Sequence, residues 1–238
     1  MLQTFWKMRW LLLLISAPAA VAHADAPRGE TIEIGGVRNV LLRADRPKGS
    51  VLLLTGGDGR LEVGANGAFA TGADNVLIRN REAFRQRGYN VLLVELGTDL
   101  SAAVDRMVAL KRPVTMIATS KGTQRAAEGL QRGALPDKLI LTSGFLTAAS
   151  GPAKSVKEIV GDPTRLPPTL VVHHRDDDCH FTRPAGVMPF KAWAAERIEI
   201  AWLSGGSQGS NPCRFDAHHG FAGQDDALVA RIVAFLSR

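Results

Sequence analysis

The feature that most constrains the fold is a regular alternation between short apolar runs and longer helix-like stretches. Most of the apolar runs are continuous in Leu, Ile and Val, a pattern typical of strands buried on both faces. We predict strands over residues 50–55, 90–95, 114–119, 138–142, 169–173 and 198–202. We predict helices over residues 75–87, 100–111, 121–132 and 225–236. Because strands that alternate with helices form βαβ units, the sequence predicts an α/β fold with a mostly parallel central sheet flanked by helices.

Two further segments are less regular. Residues 31–34 and 40–43 are weaker strand candidates that could form an antiparallel pair at the edge of the sheet. The helix predicted over 75–87 carries four arginines, which we expect on its solvent side. They are Arg79, Arg81, Arg85 and Arg87.

The N-terminus has the pattern of a secretory signal. Lys7 and Arg9 precede the apolar run 10–20, and Ala22 and Ala24 are the small residues that a signal peptidase selects. An uncleaved membrane anchor is the alternative, but the run is shorter than the roughly 20 residues that span a bilayer. We therefore predict a signal peptide over residues 1–24 and one domain over residues 25–238. The expected location is the periplasm or the extracellular medium, without stable membrane insertion once the signal is removed.

The charge distribution gives no support to a nucleic-acid partner. Loss of Lys7 and Arg9 with the signal lowers the formal net charge from +6 to +4. The remaining cations are scattered, and no dense basic run with interleaved aromatic residues occurs. Nucleic-acid-binding chains usually concentrate such residues on one surface.

A serine follows one of the central predicted strands directly. Ser120 lies two residues from Ala118 on one side and two from Gly122 on the other, before a predicted helix. Small residues at these positions allow the tight strand–turn–helix geometry of a nucleophile elbow, although a serine here could also simply cap the helix. Ligands of open parallel sheets bind beyond the carboxyl ends of the strands, which is where Ser120 is expected.

An acid and a histidine follow in suitable positions. The segment after the strand 169–173 contains three consecutive aspartates, which could alternatively stabilise a surface turn. His219 lies in a loop before the last predicted helix. The chain order serine, aspartate, histidine is that of the catalytic triad in α/β-hydrolases.

On these motifs the chain from residue 25 onward resembles an α/β-hydrolase, and in particular the exported dienelactone-hydrolase-like and esterase type. The segment after the acid strand in that family often reads His-Gly-x-x-Asp. Laid on residues 173–177, this pattern implies Asp177 as the triad acid, with Asp176 and Asp178 as alternatives.

The resemblance also implies the stabilising groups of the site. The residue after the nucleophile, Lys121, would supply one backbone N–H to an oxyanion, and Gly57 in the loop after strand 50–55 would supply the other. This Gly-rich loop could also be a plain tight turn. Thr55 stands where the family usually has a histidine, so the chain departs from the family at this position.

These residues imply a serine hydrolase that forms an acyl-enzyme without a cofactor. Ser120 would be the nucleophile, His219 its base and Asp177 the partner of the histidine. The stretch 143–168 contains one short helix-like run, over 153–160, so we predict little or no cap domain. An open site favours a small ester-like substrate, which could be a carboxylic ester, a thioester or a lactone.

The chain has two cysteines, and a pair in an exported protein usually forms a disulfide. Cys179 lies two residues after Asp177 and Cys213 lies six before His219, so a bridge would join the acid loop to the histidine loop.

Two other functions remain open from the sequence. The His, Asp and Cys residues around 173–180 and 213–219 could suit a metal-dependent hydrolase. However, neighbouring strand residues such as His173 and His174 face opposite ways, and no His-x-x-x-His or Cys-x-x-Cys spacing occurs, so we expect no metal. The chain could also be a non-catalytic binding protein on a hydrolase scaffold, since fold alone does not decide function.

Overall fold

The computed structural model describes residues 29–238, and the predicted signal peptide lies outside these residues. The described strands are β1 (Glu30–Ile34), β2 (Val37–Leu42), β3 (Gly49–Leu54), β4 (Tyr89–Leu93), β5 (Val114–Thr119), β6 (Lys138–Thr142), β7 (Thr169–His174) and β8 (Ile198–Leu203). The described α-helices are α1 (Val76–Arg79), α2 (Arg81–Gln86), α3 (Leu100–Leu110), α4 (Gly122–Gln131), α5 (Val156–Val160), α6 (Val187–Ala194) and α7 (Asp225–Leu236).

All eight strands form one sheet in the order β1-β2-β4-β3-β5-β6-β7-β8. The six strands from β4 to β8 in this order are parallel to one another. β1 pairs antiparallel with β2, and β2 pairs antiparallel with β4, so these two strands form the predicted antiparallel edge. The predicted mostly parallel α/β sheet is therefore confirmed.

The sheet separates two hydrophobic cores, because successive strand residues face opposite sides. On β3, Leu52 and Leu54 belong to the core covered by α3, α4, α5 and α6, whereas Val51 and Leu53 belong to the core covered by α1, α2 and α7. All four side chains are fully buried. Each contributes about 1.5–3 kcal/mol by burial, which explains the continuous apolar runs in the sequence.

The prediction of one helix over 75–87 is wrong, and of its four arginines only Arg87 is exposed. The segment forms α1 and α2, separated at Asn80, whose side chain donates to the Val76 carbonyl. The side chains of Arg79 and Arg85 are only 23% and 18% exposed, and they pair with Asp225 and Glu82. Arg79 therefore connects α1 to α7, whereas Arg85 pairs with a glutamate of its own helix.

The segment between β6 and β7, where many hydrolases insert a cap, is short. Between β6 and β7 the chain forms α5 and a single 3-10 turn over Pro163–Arg165, so this segment holds no cap domain. α6 follows β7 and packs against the sheet, and it was not predicted from the sequence. No helix within residues 29–238 is long and apolar enough to cross a membrane.

Candidate active site

Ser120 lies at a strained turn between β5 and α4. Its backbone φ is 52°, in the left-handed region that costs a non-glycine residue about 1–3 kcal/mol. Its neighbours must be small, because a Cβ at Gly122 would lie 2.4 Å from the Leu54 carbonyl oxygen and one at Gly56 would lie 2.8 Å from the Ser120 Cβ. The Ser120 N–H donates to the Thr142 carbonyl at 3.0 Å, which fixes the turn against the end of β6. The side chain is thereby held at the carboxyl edge of the sheet.

The structure brings Ser120, His219 and Asp177 together. The Ser120 Oγ lies 3.0 Å from His219 Nε2, and His219 Nδ1 lies 3.1 Å from Asp177 Oδ2. His219 and Asp177 are 6% and 2% exposed, so water has little access to the histidine–aspartate contact. In this arrangement Nδ1–H donates to the carboxylate and Nε2 is free to accept the serine proton.

The Asp177 carboxylate has two further partners. Its Oδ1 accepts the Cys179 backbone N–H at 3.0 Å, and its Oδ2 accepts the Thr182 hydroxyl at 3.2 Å. The Thr182 Oγ1 also lies 2.9 Å from His219 Nδ1, so this hydroxyl contacts both members of the pair. Sequence analysis missed Thr182, because no motif marks it, although it lies only five residues beyond the acid.

Two side chains from elsewhere in the chain hold the backbone of the histidine loop. The Ser143 hydroxyl, after β6, donates to the His219 carbonyl at 2.8 Å. The Arg79 guanidinium on α1 donates to the Gly220 carbonyl at 2.8 Å and to Asp225 at the start of α7 at 2.8 Å. These contacts join residues that are distant in sequence, so neither could be found from motif spacing.

The two residues implied as oxyanion donors come from different loops, and Gly57 lines the same cavity as Ser120. Gly57 follows β3 with a φ of 63°, a conformation that favours glycine, and Lys121 precedes α4. Within residues 29–238, neither backbone N–H donates to another protein group. Thr55, at the family's usual histidine position, has a buried hydroxyl without a hydrogen-bond partner among the described residues.

A cavity of about 410 Å³ opens in front of the serine. Its lining includes Ser120, His219 and Gly57, together with Phe215. The charged side chains around it are of both signs. They are Asp58, Arg60, Glu62, Asp74 and Arg214. The cavity can therefore hold a small molecule in contact with the serine hydroxyl.

Cys179 and Cys213 form a disulfide with a Cα–Cα distance of 4.6 Å. The bridge joins the loop of Asp177 to the loop of His219, as the sequence predicts. Cys213 also contributes to the cavity wall.

The remaining histidines in this region link loops to one another. His174 Nε2 donates to the Gly205 carbonyl at 2.8 Å, and its ring stacks on His218 with centroids 4.2 Å apart. His218 Nδ1 in turn donates to the Asp176 carbonyl at 3.0 Å. No group of three or more His, Cys, Asp or Glu side chains in the described part of the chain is arranged to hold a metal ion.

His173 is a fully buried histidine beside the acid. Its Nδ1 donates to the His174 carbonyl at 3.1 Å, and its Nε2 lies 3.9 Å from Asp177 Oδ2. Burial lowers the pKa of His173 below its ordinary value, and the nearby Asp177 carboxylate opposes this effect only in part. The imidazole is therefore neutral at pH 7.

Comparison with solved structures identifies the fold class. An esterase from Pyrococcus furiosus has a TM-score of 0.61 and 13% identity, covering 84% of this chain and 85% of that one. An esterase from Exiguobacterium antarcticum has a TM-score of 0.56 and 12% identity, covering 88% and 100%. An α/β serine hydrolase without a lid from Xanthomonas campestris has a TM-score of 0.52 and 12% identity, covering 84% and 92%. The chain therefore has the α/β-hydrolase fold.

No family model and no curated protein matches the sequence.

Proposed function

We propose that this protein is an exported serine hydrolase that cleaves an ester-type bond in a small molecule. The observation that carries the proposal is the continuous contact from the Ser120 hydroxyl through His219 to the buried Asp177 carboxylate, over 3.0 Å and 3.1 Å. Such a path lets a weakly acidic hydroxyl lose its proton as it attacks a carbonyl carbon.

In the first half of the reaction, Ser120 Oγ bonds to the carbonyl carbon while its proton passes to His219 Nε2. Asp177 stabilises the resulting imidazolium and keeps its orientation. The negative charge on the carbonyl oxygen would be stabilised by the backbone N–H groups of Gly57 and Lys121. Loss of one such donor costs about 2.7–4 kcal/mol in a characterised protease.

Acylation is complete when His219 gives its proton to the departing alkoxide or thiolate and the acyl group stays on Ser120. A water molecule then attacks the acyl-enzyme while His219 accepts its proton. Collapse of the second tetrahedral intermediate releases the acid and returns the proton to Ser120, so no cofactor is needed.

The size of the cavity supports the proposed substrate class. The space of about 410 Å³ suits a small carboxylic ester, thioester or lactone, and the segment between β6 and β7 places no cap over it. Two of the similar solved structures are themselves described as esterases. The signal-like N-terminus and the disulfide support a periplasmic or secreted location.

The experiment is active-site labelling with a fluorophosphonate together with hydrolysis of short nitrophenyl esters. Wild-type protein is expected to be labelled, and Ser120→Ala is expected to lose labelling and at least about 1,000-fold in ester hydrolysis. Ser101→Ala, a serine on α3, is the matched control and should behave like the wild type. Folded wild-type protein that is neither labelled nor active would instead support a binding protein on a hydrolase scaffold.

A further inference from the structure

Glu95 lies just beyond β4, and its carboxylate is hydrogen-bonded to the loop that carries Gly57, here called the 55–63 loop. Its Oε1 accepts the Leu61 N–H at 3.0 Å, and its Oε2 accepts the Val63 N–H at 3.1 Å. Oε1 also accepts the N–H of the next residue, Leu96, at 2.8 Å. One carboxylate therefore satisfies three backbone donors, two of them in the 55–63 loop.

The backbone of Glu95 is itself fixed from the neighbouring strand. Its N–H donates at 3.0 Å to Asn39 Oδ1 on β2, and Asn39 is fully buried. The same oxygen accepts the Thr98 hydroxyl at 2.9 Å. The carboxylate of Glu95 is thus presented to the 55–63 loop from a rigid part of the sheet.

Arg125 connects this loop to the helix that follows the nucleophile. It lies on α4, which begins two residues after Ser120. Its Nη2 donates to the Glu95 carbonyl at 3.0 Å, and its Nη1 donates to the Gly59 carbonyl at 3.4 Å. The Arg125 side chain packs so closely against Gly59 that a Cβ at Gly59 would lie 2.6 Å from Arg125 Nη1.

We propose that Glu95 and Arg125 are positioning residues that fix the 55–63 loop relative to α4, and so set the separation of the two oxyanion donors. Gly57 belongs to the loop, and Lys121 belongs to the turn that starts α4. The proposal rests on the proposed function, because the separation matters only if both N–H groups bind an oxyanion.

The physical basis is that an oxyanion hole works when its donors are already in place. Donors contribute fully at about 2.7–3.1 Å from the developing charge, and a displacement of about 1 Å can cost about 100-fold in rate. Gly57 lies between the end of β3 and the first clamped residue, Gly59. Loss of the Glu95 and Arg125 contacts would leave the loop held by β3, by the Gly59 N–H bond to the Gly56 carbonyl at 3.2 Å and by the Ala70 and Thr71 N–H groups on the Leu61 carbonyl. None of these remaining bonds ties the loop to α4, so the separation of Gly57 from Lys121 would be less well fixed.

Two substitutions test the clamp directly. In Glu95→Gln the amide has one accepting oxygen and one NH₂ group, so at least one loop N–H would face another donor. In Arg125→Gln the contact between α4 and the loop is lost. For both variants we expect kcat to fall by about 10- to 100-fold and the fluorophosphonate labelling rate to fall in parallel. KM should change by less than about threefold, because oxyanion contacts strengthen in the transition state.

A third variant and a control keep the result interpretable if either substitution prevents folding. Gly59→Ala introduces a methyl group against Arg125 from the loop side, at a residue with a φ of +79°, and should produce the same loss. Arg132→Gln, directly after the same helix, is the matched control, because within residues 29–238 its exposed side chain pairs only with Glu128, at 3.9 Å. Arg125→Lys, which keeps the charge but not the two-pronged geometry, should recover only part of the kcat.

The outcomes are distinct. Wild-type protein that is not labelled at all would refute the proposed function, whatever the variants do. Labelled wild type with Glu95→Gln and Gly59→Ala at wild-type kcat would overturn the positioning role alone. A rise in KM at unchanged kcat would also overturn it, because the residues would then act on substrate binding.

Discussion

Three consecutive aspartates follow β7, and their side chains differ sharply in exposure. The Asp177 carboxylate is buried and lies against His219, whereas Asp176 and Asp178 are exposed. Asp176 instead contributes its backbone carbonyl, which accepts from His218. Burial and direct contact therefore favour Asp177 as the partner of the histidine.

Replacement of each aspartate by asparagine tests this choice. Asp177→Asn should lower kcat by about 10⁴-fold, because an amide cannot stabilise the imidazolium and can favour the wrong tautomer of His219. Asp176→Asn and Asp178→Asn should remain within a few-fold of the wild type, as expected of exposed side chains. Steady-state hydrolysis of a nitrophenyl ester measures all three, and a large loss in Asp176→Asn with a small loss in Asp177→Asn would reverse the assignment.

At the residue scale, the sequence predicted the tight strand–turn–helix geometry around Ser120 but missed contacts that only the fold creates. Ser120 was predictable because its turn demands small neighbours at fixed spacing. Ser143 and Arg79 were not, since each acts on the His219 loop through a contact with a residue more than 70 positions away. Only the fold brings such pairs together.

The disulfide and the histidine loop belong to the scale of elements. The loop before α7 is held by the Cys179–Cys213 bridge, by the Ser143 hydroxyl and by the Arg79 guanidinium. The backbone N–H of Cys179, not its sulfur, donates to Asp177. The bridge is therefore one of several supports for the Ser120–His219–Asp177 geometry.

Replacing both cysteines with serine should reduce stability much more than activity. The bridge spans 34 residues, for which chain entropy predicts a loss of about 3–4 kcal/mol in the free energy of unfolding. At 25 °C the folded variant should keep kcat within about threefold, because Ser143 and Arg79 still hold the histidine loop. Urea unfolding and ester hydrolysis measure the two effects.

Two outcomes would contradict this account of the bridge. Thiol titration of native wild-type protein should find no free thiol, and two free thiols would mean that the bridge does not form. A kcat loss above about tenfold in the folded double variant would show that the bridge itself sets the position of His219.

Element boundaries also show where sequence patterns stop being informative. The buried strands were predicted well because residues enclosed on both faces must be apolar throughout, and β5, β6 and α7 have the predicted bounds. At the break, the Asn80 side chain contacts Asp225 at the start of α7, a contact that no local pattern contains. The α6 helix contains Pro189, which is tolerated only because it lies in the first turn.

At the scale of the whole molecule, titratable groups with shifted pKa values make stability depend on pH. His173 is fully buried, with Asp177 and His219 as its charged or titratable neighbours, and burial lowers its pKa. The pKa values of Glu82 and Glu158 are lowered from 4.5, by hydrogen bonds from Arg85 and Ser155 respectively. The histidine and the two glutamates therefore act in different pH ranges.

The direction of the histidine effect follows from proton binding. The unfolded chain has His173 at its ordinary pKa of about 6.5, so below that pH it binds more protons than the folded protein does. The free energy of unfolding should then fall as pH drops from 7 towards 5, by at most about 1.4 kcal/mol per pH unit for this one group. The carboxylates contribute a separate loss only below about pH 4.5, where they are protonated in the unfolded chain.

Urea unfolding between pH 5 and pH 8 tests this with His173→Asn. The asparagine amide can replace Nδ1–H as donor to the His174 carbonyl but does not titrate, so the slope between pH 5 and pH 7 should become flatter even if overall stability falls. His180→Asn, which replaces an exposed histidine, is the matched control. Equal slopes in the wild type and His173→Asn would mean that His173 binds protons equally in both states, and the effect of its burial would then be refuted.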